Sequence, residues 1–373
     1  MVFSGYRHAK SQRFHDHNAK RRKEHAAKAE TTSKTALILG GGAPNSALMA
    51  GAMAAFDDQK IAVDVVSTSG AGGLIGLLWL APKTGSGAQA LRNWVDAYVA
   101  DPIYSLFPVD YKVFFKPGLL ADAWRSWLRL NPITAAIADE QGDNSVQRLV
   151  ADLFQLGWAT VSPSSLNYQD VGLCARVPWA DQMVDFDKVK DVAPYFYLNA
   201  YNVTDEVMDN FSKEEITLDH FKAAFAFPFI YGPYEMNGKD YYEGASHDCL
   251  NFQDLLARHP NLETLVIFDV LGHDSLIRRP RNLYDSWVLS MIIPLVKVAE
   301  GNLELFIATV NNGWRRADGA KTDVLQVAFD VPEAQLPDVL DWSHSNGQDL
   351  FEIGYQSALK FLKGDGKNLP RRK

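Results

Sequence analysis

The sequence predicts an α/β fold: a three-layer sandwich with a central, largely parallel sheet and an inserted helical region. Three observations predict it. Short apolar runs end in glycine-rich loops, helices of small residues follow those loops, and the composition is that of a globular chain. The 373 residues are 47% hydrophobic and 22% charged, which excludes a disordered or fibrous protein. A chain of this length can bury a large core without disulfide or metal support.

The first strand and the first helix follow from the local pattern. Thr35–Leu39 is a short apolar run that ends at three glycines, which is typical of a buried parallel strand. Asn45 and Ser46 are suitable N-cap residues. They predict a helix of small residues that reaches about Phe56.

The same pattern repeats with a buried strand over 61–66 and a buried helix over 70–80. Both units contain long uncharged windows, 35–56 and 65–82, whose length alone is compatible with membrane spans. Glycine, proline, asparagine and serine divide each window into pieces too short to cross a bilayer. The sequence therefore predicts two strand–loop–helix units here and no membrane span.

The remaining elements complete the sheet and add an insert. Residues 100–190 are rich in tryptophan, proline and polar turns, and they predict a helical insert or lid. Asn237-Gly238 is a strong signal for a hairpin turn. We predict strands over 195–199 and 262–270, a hairpin over 234–242, a helix over 217–225 that Pro228 ends, and mostly helix over 283–361.

Basic charge is concentrated at the two ends of the chain. Residues 1–34 hold nine Lys/Arg and three Asp/Glu, whereas the whole chain has a net charge of −8. We predict a basic polar tail over 1–34, a single domain over 35–361 and a second basic tail over 362–373. An acidic body with basic ends differs from a uniformly basic nucleic-acid binder, so no nucleic-acid partner is expected.

Two further features bear on the cellular compartment. The N-terminal region has no apolar run, so it predicts no secretory signal. The chain has only two cysteines, Cys174 and Cys249, which is typical of a protein from a reducing compartment. A cytoplasmic location is therefore predicted.

The first candidate site is the glycine-rich loop after the first strand, Gly40-Gly41-Gly42-Ala43. A loop between a strand and a helix presents backbone N–H groups at the positive end of the helix dipole, which suits a phosphate or an oxyanion. A dinucleotide-binding loop would need glycine where Asn45 stands, and a P-loop would need a lysine that is absent. The alternative is a tight turn that packs against the sheet.

The second candidate is Ser69, between the second strand and the second helix. A serine at such a turn can be held as an exposed nucleophile at a helix N-terminus. The strict pattern has glycine two residues before and two residues after the serine, because the backbones crowd there. Ser67 and Ala71 occupy these positions, so a plain helix start made of small residues is the alternative.

The third candidate is Glu243, which ends the predicted hairpin and is followed by Gly244. A carboxylate in this place could act as a base or orient one, and the alternative is an acid that caps a turn. His247 and Asp248 follow closely. His247 is a candidate third member of a Ser–His–acid triad, and Asp248 is a candidate for shaping the loop.

In this order, the three candidates resemble the patatin-like phospholipase family. The family hallmarks are Gly-Gly-Gly-x-Arg/Lys-Gly after a strand, then Gly-x-Ser-x-Gly, then Asp-Gly-Gly/Ala. The resemblance covers about residues 35–270. The positions that match the hallmarks are Gly40, Gly41, Gly42, Ser69 and Gly244.

The chain departs from the family pattern near each hallmark. Pro44 and Asn45 stand in place of the Arg/Lys-Gly pair, and Ser67 and Ala71 stand in place of the glycines that flank the nucleophile. Glu243 replaces the aspartate and is one methylene longer. Catalytic geometry is sensitive to shifts of about 1 Å, so this change bears directly on activity.

The resemblance implies a serine acyl hydrolase, a lipase or phospholipase A-type esterase that acts on lipid or other hydrophobic acyl esters without a metal or organic cofactor. Glu243 would accept the proton of Ser69, and Ser69 would attack the acyl carbonyl. The amides of the loop 40–43 would hold the oxyanion. Two alternatives stay open: an acyltransferase with the same nucleophile, and a catalytically weak protein that binds lipid or a lipid granule.

The helical insert bears on the partner of the protein. Residues 119–130 place Leu120, Trp124, Trp127 and Leu128 on one helical face. Such a face suits a lid or a lipid-facing surface, although the sequence favours an ordinary core-facing stripe. Together with the basic tails, it is compatible with peripheral contact with an anionic membrane or a lipid granule. The oligomeric state is not predicted.

Overall fold

The structure, a computed structural model, describes residues 32–43, 45–139, 145–175, 180–252, 255–271, 279–316, 318–338 and 341–372. The strands are β1 (Thr35–Leu39), β2 (Val65–Thr68), β3 (Tyr195–Asn202), β4 (Val207–Ser212), β5 (Tyr234–Met236), β6 (Lys239–Glu243), β7 (Thr264–Phe268) and β8 (Asp323–Gln326). The helices are α1 (Ser46–Asp58), α2 (Ala71–Leu80), α3 (Gly87–Asn93), α4 (Asp101–Leu106), α5 (Leu119–Leu130), α6 (Pro132–Asp139), α7 (Ser145–Val161), α8 (Ala180–Met183), α9 (Leu218–Ala224), α10 (Leu255–Arg258), α11 (Leu283–Asn312) and α12 (His344–Lys363). Short 3₁₀ turns cover Trp94–Ala97, Phe186–Asp191, Gly244–Ser246, Glu333–Asp338 and Asp365–Asn368.

The strands form one sheet in the order β5-β6-β3-β2-β1-β7-β8, and β4 pairs with β3 outside this path. The strands β3, β2, β1, β7 and β8 run parallel to one another. The strands β4 and β6 pair antiparallel with β3, and β5 pairs antiparallel with β6. This mixed, mostly parallel sheet between helices confirms the predicted α/β class.

Strand β1 is apolar along its whole length because helices cover both faces of the sheet. Leu37 and Leu39 belong to a core cluster that includes the buried residues of α1 and α2. Ala36 and Ile38 belong to a second cluster that includes Phe306 of α11. Successive side chains of a strand point to opposite faces, so these two clusters are the two outer interfaces of a three-layer arrangement.

The first helix, α1, lies directly against the C-terminal helix, α12. A Cβ on Gly51 of α1 would lie 1.9 Å from the carbonyl oxygen of Phe351, and a Cβ on Gly354 would lie 2.0 Å from that of Leu48. The two backbones can approach this closely only because both positions are glycine. Residues 46–56 of α1 are all buried, which explains why the helix has no polar face.

Most of the predicted elements are confirmed. The strands over 35–39 and 195–199, the helix over 70–80 and the hairpin over 234–242 are present within a few residues of their predicted bounds. Both uncharged windows fold as strand–loop–helix units. Among the residues that the structure describes, no helix is long and apolar enough to cross a membrane. The predicted tail over 1–34 falls almost entirely outside the described residues.

Four features of the described chain differ from the predictions. The sequence pattern missed β4, and it predicted mostly helix where β8 is found. Asn45 does not cap α1 with its side chain; its amide nitrogen donates instead to the carbonyl of Val270 at 2.5 Å. The segment predicted as a basic C-terminal tail contacts the body: Arg371 pairs with Ile61, and the N–H of Arg372 donates to the carbonyl of Lys60. The domain bounds stay a prediction.

The fourth difference concerns the amphipathic helix α5. The sequence favoured a stripe that faces the core. This interpretation is wrong for Leu120 and Trp127, which are both exposed, whereas Trp124 and Leu128 are half-buried. Only Ala121 of this helix is buried. The apolar side of α5 therefore faces outward only in part.

Candidate active site

The three predicted site segments meet at one edge of the sheet. Leu39 and Thr68 are neighbours in the parallel register of β1 and β2, so the loops that follow these strands leave the sheet side by side. A Cβ on Gly41 would lie 2.8 Å from the Cβ of Ala245, which brings the segment after β6 against the glycine loop. The structure thus assembles the glycine loop, the β2–α2 turn and the acid segment.

Two of the four predicted oxyanion donors already donate hydrogen bonds to backbone carbonyls. The N–H of Gly40 donates to the carbonyl of Phe268 at 3.2 Å, and the N–H of Gly41 donates to the carbonyl of Cys249 at 3.0 Å. Within the described part of the chain, the N–H groups of Gly42 and Ala43 donate no hydrogen bond. The loop can therefore offer Gly42 and Ala43 to an anion, but Gly40 and Gly41 hold the loop in place. Pro44 lies outside the described residues.

Ser69 is completely buried and takes part in local packing. Its Oγ donates to the carbonyl of Asp248 at 3.0 Å, and the Nδ2 of Asn199 donates to the same carbonyl at 2.9 Å. Its backbone N–H continues the sheet by donating to the carbonyl of Leu39. Among the hydrogen bonds of the described residues, none joins the Ser69 hydroxyl to Glu243. In this position Ser69 ties the loop after β6 to the end of β2.

The next residue, Gly70, forms the apex of the turn. Its backbone has φ +48° and ψ −125° at the N-terminus of α2, a conformation that residues with a side chain rarely adopt. A Cβ built on Gly70 would lie 2.0 Å from the Oε1 of Glu243 and 3.3 Å from the Cβ of Ala245. A side chain at position 70 would therefore point directly at the carboxyl group of Glu243.

Gly72 shows independently that the turn is centred on Gly70. A Cβ on Gly72 would lie 2.1 Å from the carbonyl oxygen of Leu39, so the crowding of strand and helix requires glycine at this position. The nucleophile-elbow pattern needs such a glycine two residues after its central residue. Counted from Gly70 the required glycine is present, whereas counted from Ser69 the position holds Ala71. The pair Gly70 and Gly72 is the sequence signal that could have identified this centre.

The carboxyl group of Glu243 lies in a low-polarity site. Glu243 ends β6 opposite Ala200 of β3, and burial raises the pKa of its carboxyl group to about 8. No ion pair or hydrogen bond of the described residues reaches its carboxylate oxygens. Desolvation without a compensating partner favours the neutral acid. The raised pKa therefore favours a carboxyl group that can donate a hydrogen bond, and the Glu243 side chain as a whole is half-buried.

The three predicted supporting residues have different surroundings. A Cβ on Gly244 would lie 2.4 Å from the Oδ1 of Asn199, so Gly244 allows the close approach of β3. The ring of His247 stacks on Tyr201 at 3.7 Å between centroids, and burial lowers its pKa. His247 makes no hydrogen bond to Ser69 or Glu243 in the described structure. Asp248 contributes through the backbone carbonyl that Ser69 binds.

An apolar groove begins beside this segment. Its volume is about 320 Å³, and it is open to solvent. Ser246 is its polar member, three residues after Glu243. The groove is lined by Phe227, Pro228, Phe229, Ser246, Trp287, Met291, Pro294, Leu295 and Val298. Such a lining, formed by α11 and the loop before β5, suits an aliphatic chain.

The fold, the glycine loop, the elbow and the adjacent acid are arranged in the layout of an α/β acyl hydrolase. The family model for patatin-like phospholipase matches residues 37–256, which is more than half of the chain. The chain therefore belongs to the patatin-like phospholipase family, a family of lipid acyl hydrolases.

One solved structure similar to this chain is that of VipD from Legionella pneumophila. The two share 11% sequence identity, the match covers 90% of this chain and 67% of that chain, and the TM-score is 0.35. A likeness at this level carries no argument about activity. No curated protein shows a significant match to the chain.

Proposed function

We propose that this protein binds lipid acyl groups at its patatin-like site and lacks the side-chain nucleophile on which covalent hydrolysis depends. One observation carries the proposal. The apex of the elbow is Gly70, and the place of its missing Cβ is only 2.0 Å from the Oε1 of Glu243. The family places its nucleophile at the centre of this turn, and glycine has no group that can attack a carbonyl.

The two departures at Gly70 and Glu243 are sterically matched. Glutamate is one methylene longer than the aspartate of the family pattern, and its carboxyl group fills the space that a side chain at position 70 would use. A serine at position 70 would require the Glu243 carboxyl group to rotate away, whereas a glycine accommodates this carboxyl group where it lies. We interpret Gly70 and Glu243 as one coupled change. It removes the nucleophile from the turn and leaves the Glu243 carboxyl group available to bind a ligand.

The remaining groups can still bind an acyl ligand. The N–H groups of Gly42 and Ala43 suit a carboxylate or ester oxygen, and the carboxyl group of Glu243 can donate to the same ligand when it is protonated. The aliphatic chain would lie in the groove between Phe229 and α11. A long-chain fatty acid or a lipid ester has both features, a polar head and an apolar tail.

Acyl-ester hydrolysis through Ser69 and Glu243 is the second candidate, and membership of the family favours it. For this reaction the Ser69 hydroxyl must leave the carbonyl of Asp248 and reach Glu243. It would then pass its proton to Glu243, attack the acyl carbonyl and release the alcohol, and water would later release the acid. Acyl transfer needs the same movement, and only the acceptor of the acyl group differs.

Active-site labelling separates the two candidates. The unmodified protein is incubated with a fluorophosphonate and examined by mass spectrometry, and its binding of a fluorescent long-chain fatty acid is measured in parallel. We expect fatty-acid binding without an adduct. A stoichiometric adduct on Ser69 that the Ser69→Ala variant loses would contradict the proposal and establish the hydrolase.

The matched gain-of-function variant is Gly70→Ser/Glu243→Asp. Shortening the acid makes room for the new side chain, so we expect an adduct at position 70 and hydrolysis of a p-nitrophenyl ester at least about 10²-fold above the unmodified protein, as general-base assistance supplies. Gly70→Ser alone should show much less, because the longer acid still occupies the space. Equal activity of the single and double variants would refute the steric coupling.

A further inference from the structure

We propose that the outer surface of the inserted helices is a docking face for an anionic lipid bilayer. This inference goes beyond the binding of an acyl ligand, because it concerns where the protein acts and uses residues outside the site. The face consists of two apolar stripes, on α5 and on α7, and we call it the insert face. Its large members are Leu119, Leu120, Trp127, Leu130, Val146, Val150, Leu153 and Val161.

Helix α5 presents part of its apolar side to solvent, whereas Trp124 and Leu128 are half-buried. The exposed fractions of its four members of the insert face run from 52% for Trp127 to 87% for Leu119. At 100° per residue, these four positions fall on one side of the helix. The opposite side holds the buried Ala121 and Arg125, whose guanidinium lies over the ring of Phe115 and donates to the carbonyl of Lys116. The helix is thus attached to the body by its partly polar side.

Helix α7 repeats this arrangement. Its four members of the insert face have exposed fractions between 52% and 64% and follow one another at helical spacings. On the other side of the helix, Asp152 is buried, forms an ion pair with Lys112 at 2.8 Å and accepts a hydrogen bond from the N–H of Ala100. The ion pair and the hydrogen bond of Asp152 therefore fix α7 to the body with its apolar stripe facing outward.

The segment after α7 links the insert face to the groove. The Nζ of Lys116 donates to the carbonyls of Thr160 and Ser162, which joins the end of α7 to the start of α5. The segment after α7 carries the exposed Tyr168 and Val171. Leu173 in this segment donates its N–H to the carbonyl of Phe229 at 2.8 Å. Phe229 is itself exposed and lines the groove.

The chemistry around the insert face identifies a bilayer as its occupant. Trp124, Trp127 and Trp158 form an aromatic cluster with ring centroids 4.8–5.8 Å apart, and tryptophan is enriched where proteins meet the membrane–water interface. Before helix α11, which lines the groove, the exposed Arg279 and Arg281 precede the exposed Leu283, and Arg281 lies 3.7 Å from Asp285. Exposed arginines beside exposed aliphatic side chains suit anionic headgroups above acyl chains.

Vesicle co-sedimentation tests this inference. The full chain is mixed with vesicles of phosphatidylcholine alone and of phosphatidylcholine with phosphatidylglycerol. We expect binding to the anionic vesicles, and the variant Leu120→Glu/Val150→Glu should lower the partition coefficient at least about tenfold, because binding strength scales with the apolar area buried. The matched control is Leu305→Glu, which changes an exposed leucine of α11 outside the insert face and should bind like the unmodified protein.

The result can be separated from that of the proposed function. Both substituted positions lie outside the groove, so the double variant should bind a fluorescent fatty acid in solution with unchanged affinity whether or not it binds vesicles. Failure of the unmodified protein to bind either vesicle, or equal binding by the double variant, would overturn the inference. A concentration-dependent dimer in analytical ultracentrifugation that the double variant abolishes would assign the face to a second copy of the chain and would likewise overturn it.

Discussion

Two strand-to-helix turns leave the same edge of the sheet, and they differ in what they offer a ligand. In the described chain, the turn after β1 leaves the N–H groups of Gly42 and Ala43 without an internal acceptor. The turn after β2 has the shape of an elbow but has Gly70 at its apex. Backbone donors depend on the path of the chain, whereas a nucleophile depends on one side chain. A site can therefore retain its binding geometry when one substitution removes its covalent chemistry.

The largest loss should come from the turn after β1. Gly42 has φ +131°, and a Cβ there would lie 2.8 Å from the Oδ1 of Asn45 and 2.9 Å from the Cγ2 of Val270. Gly42→Val should lower the affinity for a fluorescent fatty acid at least about tenfold and destabilise the fold by about 1–3 kcal/mol, since the backbone must move. Fluorescence titration and urea unfolding measure the two effects.

The matched control for this variant is Gly301→Ala. Gly301 lies within α11 with no atom within 4 Å of its Cβ position, so alanine should raise stability by up to about 1 kcal/mol and leave affinity unchanged. A folded Gly42→Val variant with normal affinity would show that the loop amides do not hold the ligand.

The raised pKa of Glu243 makes the free energy of unfolding depend on pH. Its pKa is raised from 4.5 to about 8 by burial, so between these values the unfolded chain has lost a proton that the folded chain keeps. Stability should therefore fall as pH rises through this window, by at most about 1.4 kcal/mol per pH unit, and level off above it. Urea unfolding across the window should show this slope in the unmodified protein and a weaker slope in Glu243→Gln. Identical slopes would mean that Glu243 is solvated and ionised.

The smallest effect distinguishes two buried serines at the end of β2. The Oγ of Ser69 donates to the carbonyl of Asp248 at 3.0 Å, and the Oγ of Ser67 donates to the carbonyl of Asn251 at 2.8 Å. Ser69→Ala and Ser67→Ala each remove one buried hydrogen bond, so each should cost about 1 kcal/mol and leave fatty-acid affinity unchanged. If only Ser69→Ala abolished an ester hydrolysis that the unmodified protein performs, Ser69 would be a nucleophile after all.

Local patterns predicted the central elements, because buried strands and hairpin turns carry their own signals. The run Thr35–Leu39 and the turn at Asn237-Gly238 are examples. The strands β4 and β8 were missed for a physical reason. Most of their residues are only partly buried or exposed, so their sequences have no continuous apolar run, and pairing with a neighbouring strand determines their structure.

The sequence predicted the segments that form the site, but it did not predict which residue lies at the apex of the β2–α2 turn. Sequence pattern brought the loop 40–43, the turn near Ser69 and Glu243 together, but the apex of the turn depends on which residue takes a positive φ. That choice is made by the close contact of Gly72 with the end of β1, which is a tertiary contact. Likewise, the engagement of the Gly41 amide by Cys249 joins residues far apart in the chain. An amphipathic pattern does not tell which face of a helix contacts the body. The orientation of α5 therefore depends on its attachment through Arg125.

The contact between α1 and α12 has a consequence for how the chain folds during synthesis. The hydroxyl of Tyr355 donates to Asp58 at 2.9 Å across 297 residues, and the crossing at Gly51 and Gly354 buries the outer side of α1. A ribosome makes α1 early and α12 late, so this apolar helix stays uncovered while most of the chain is still being translated. Closure of the domain is therefore a late event with long-range contacts, which are intrinsically slow to form. In the interval, α1 presents an apolar surface that a chaperone could cover.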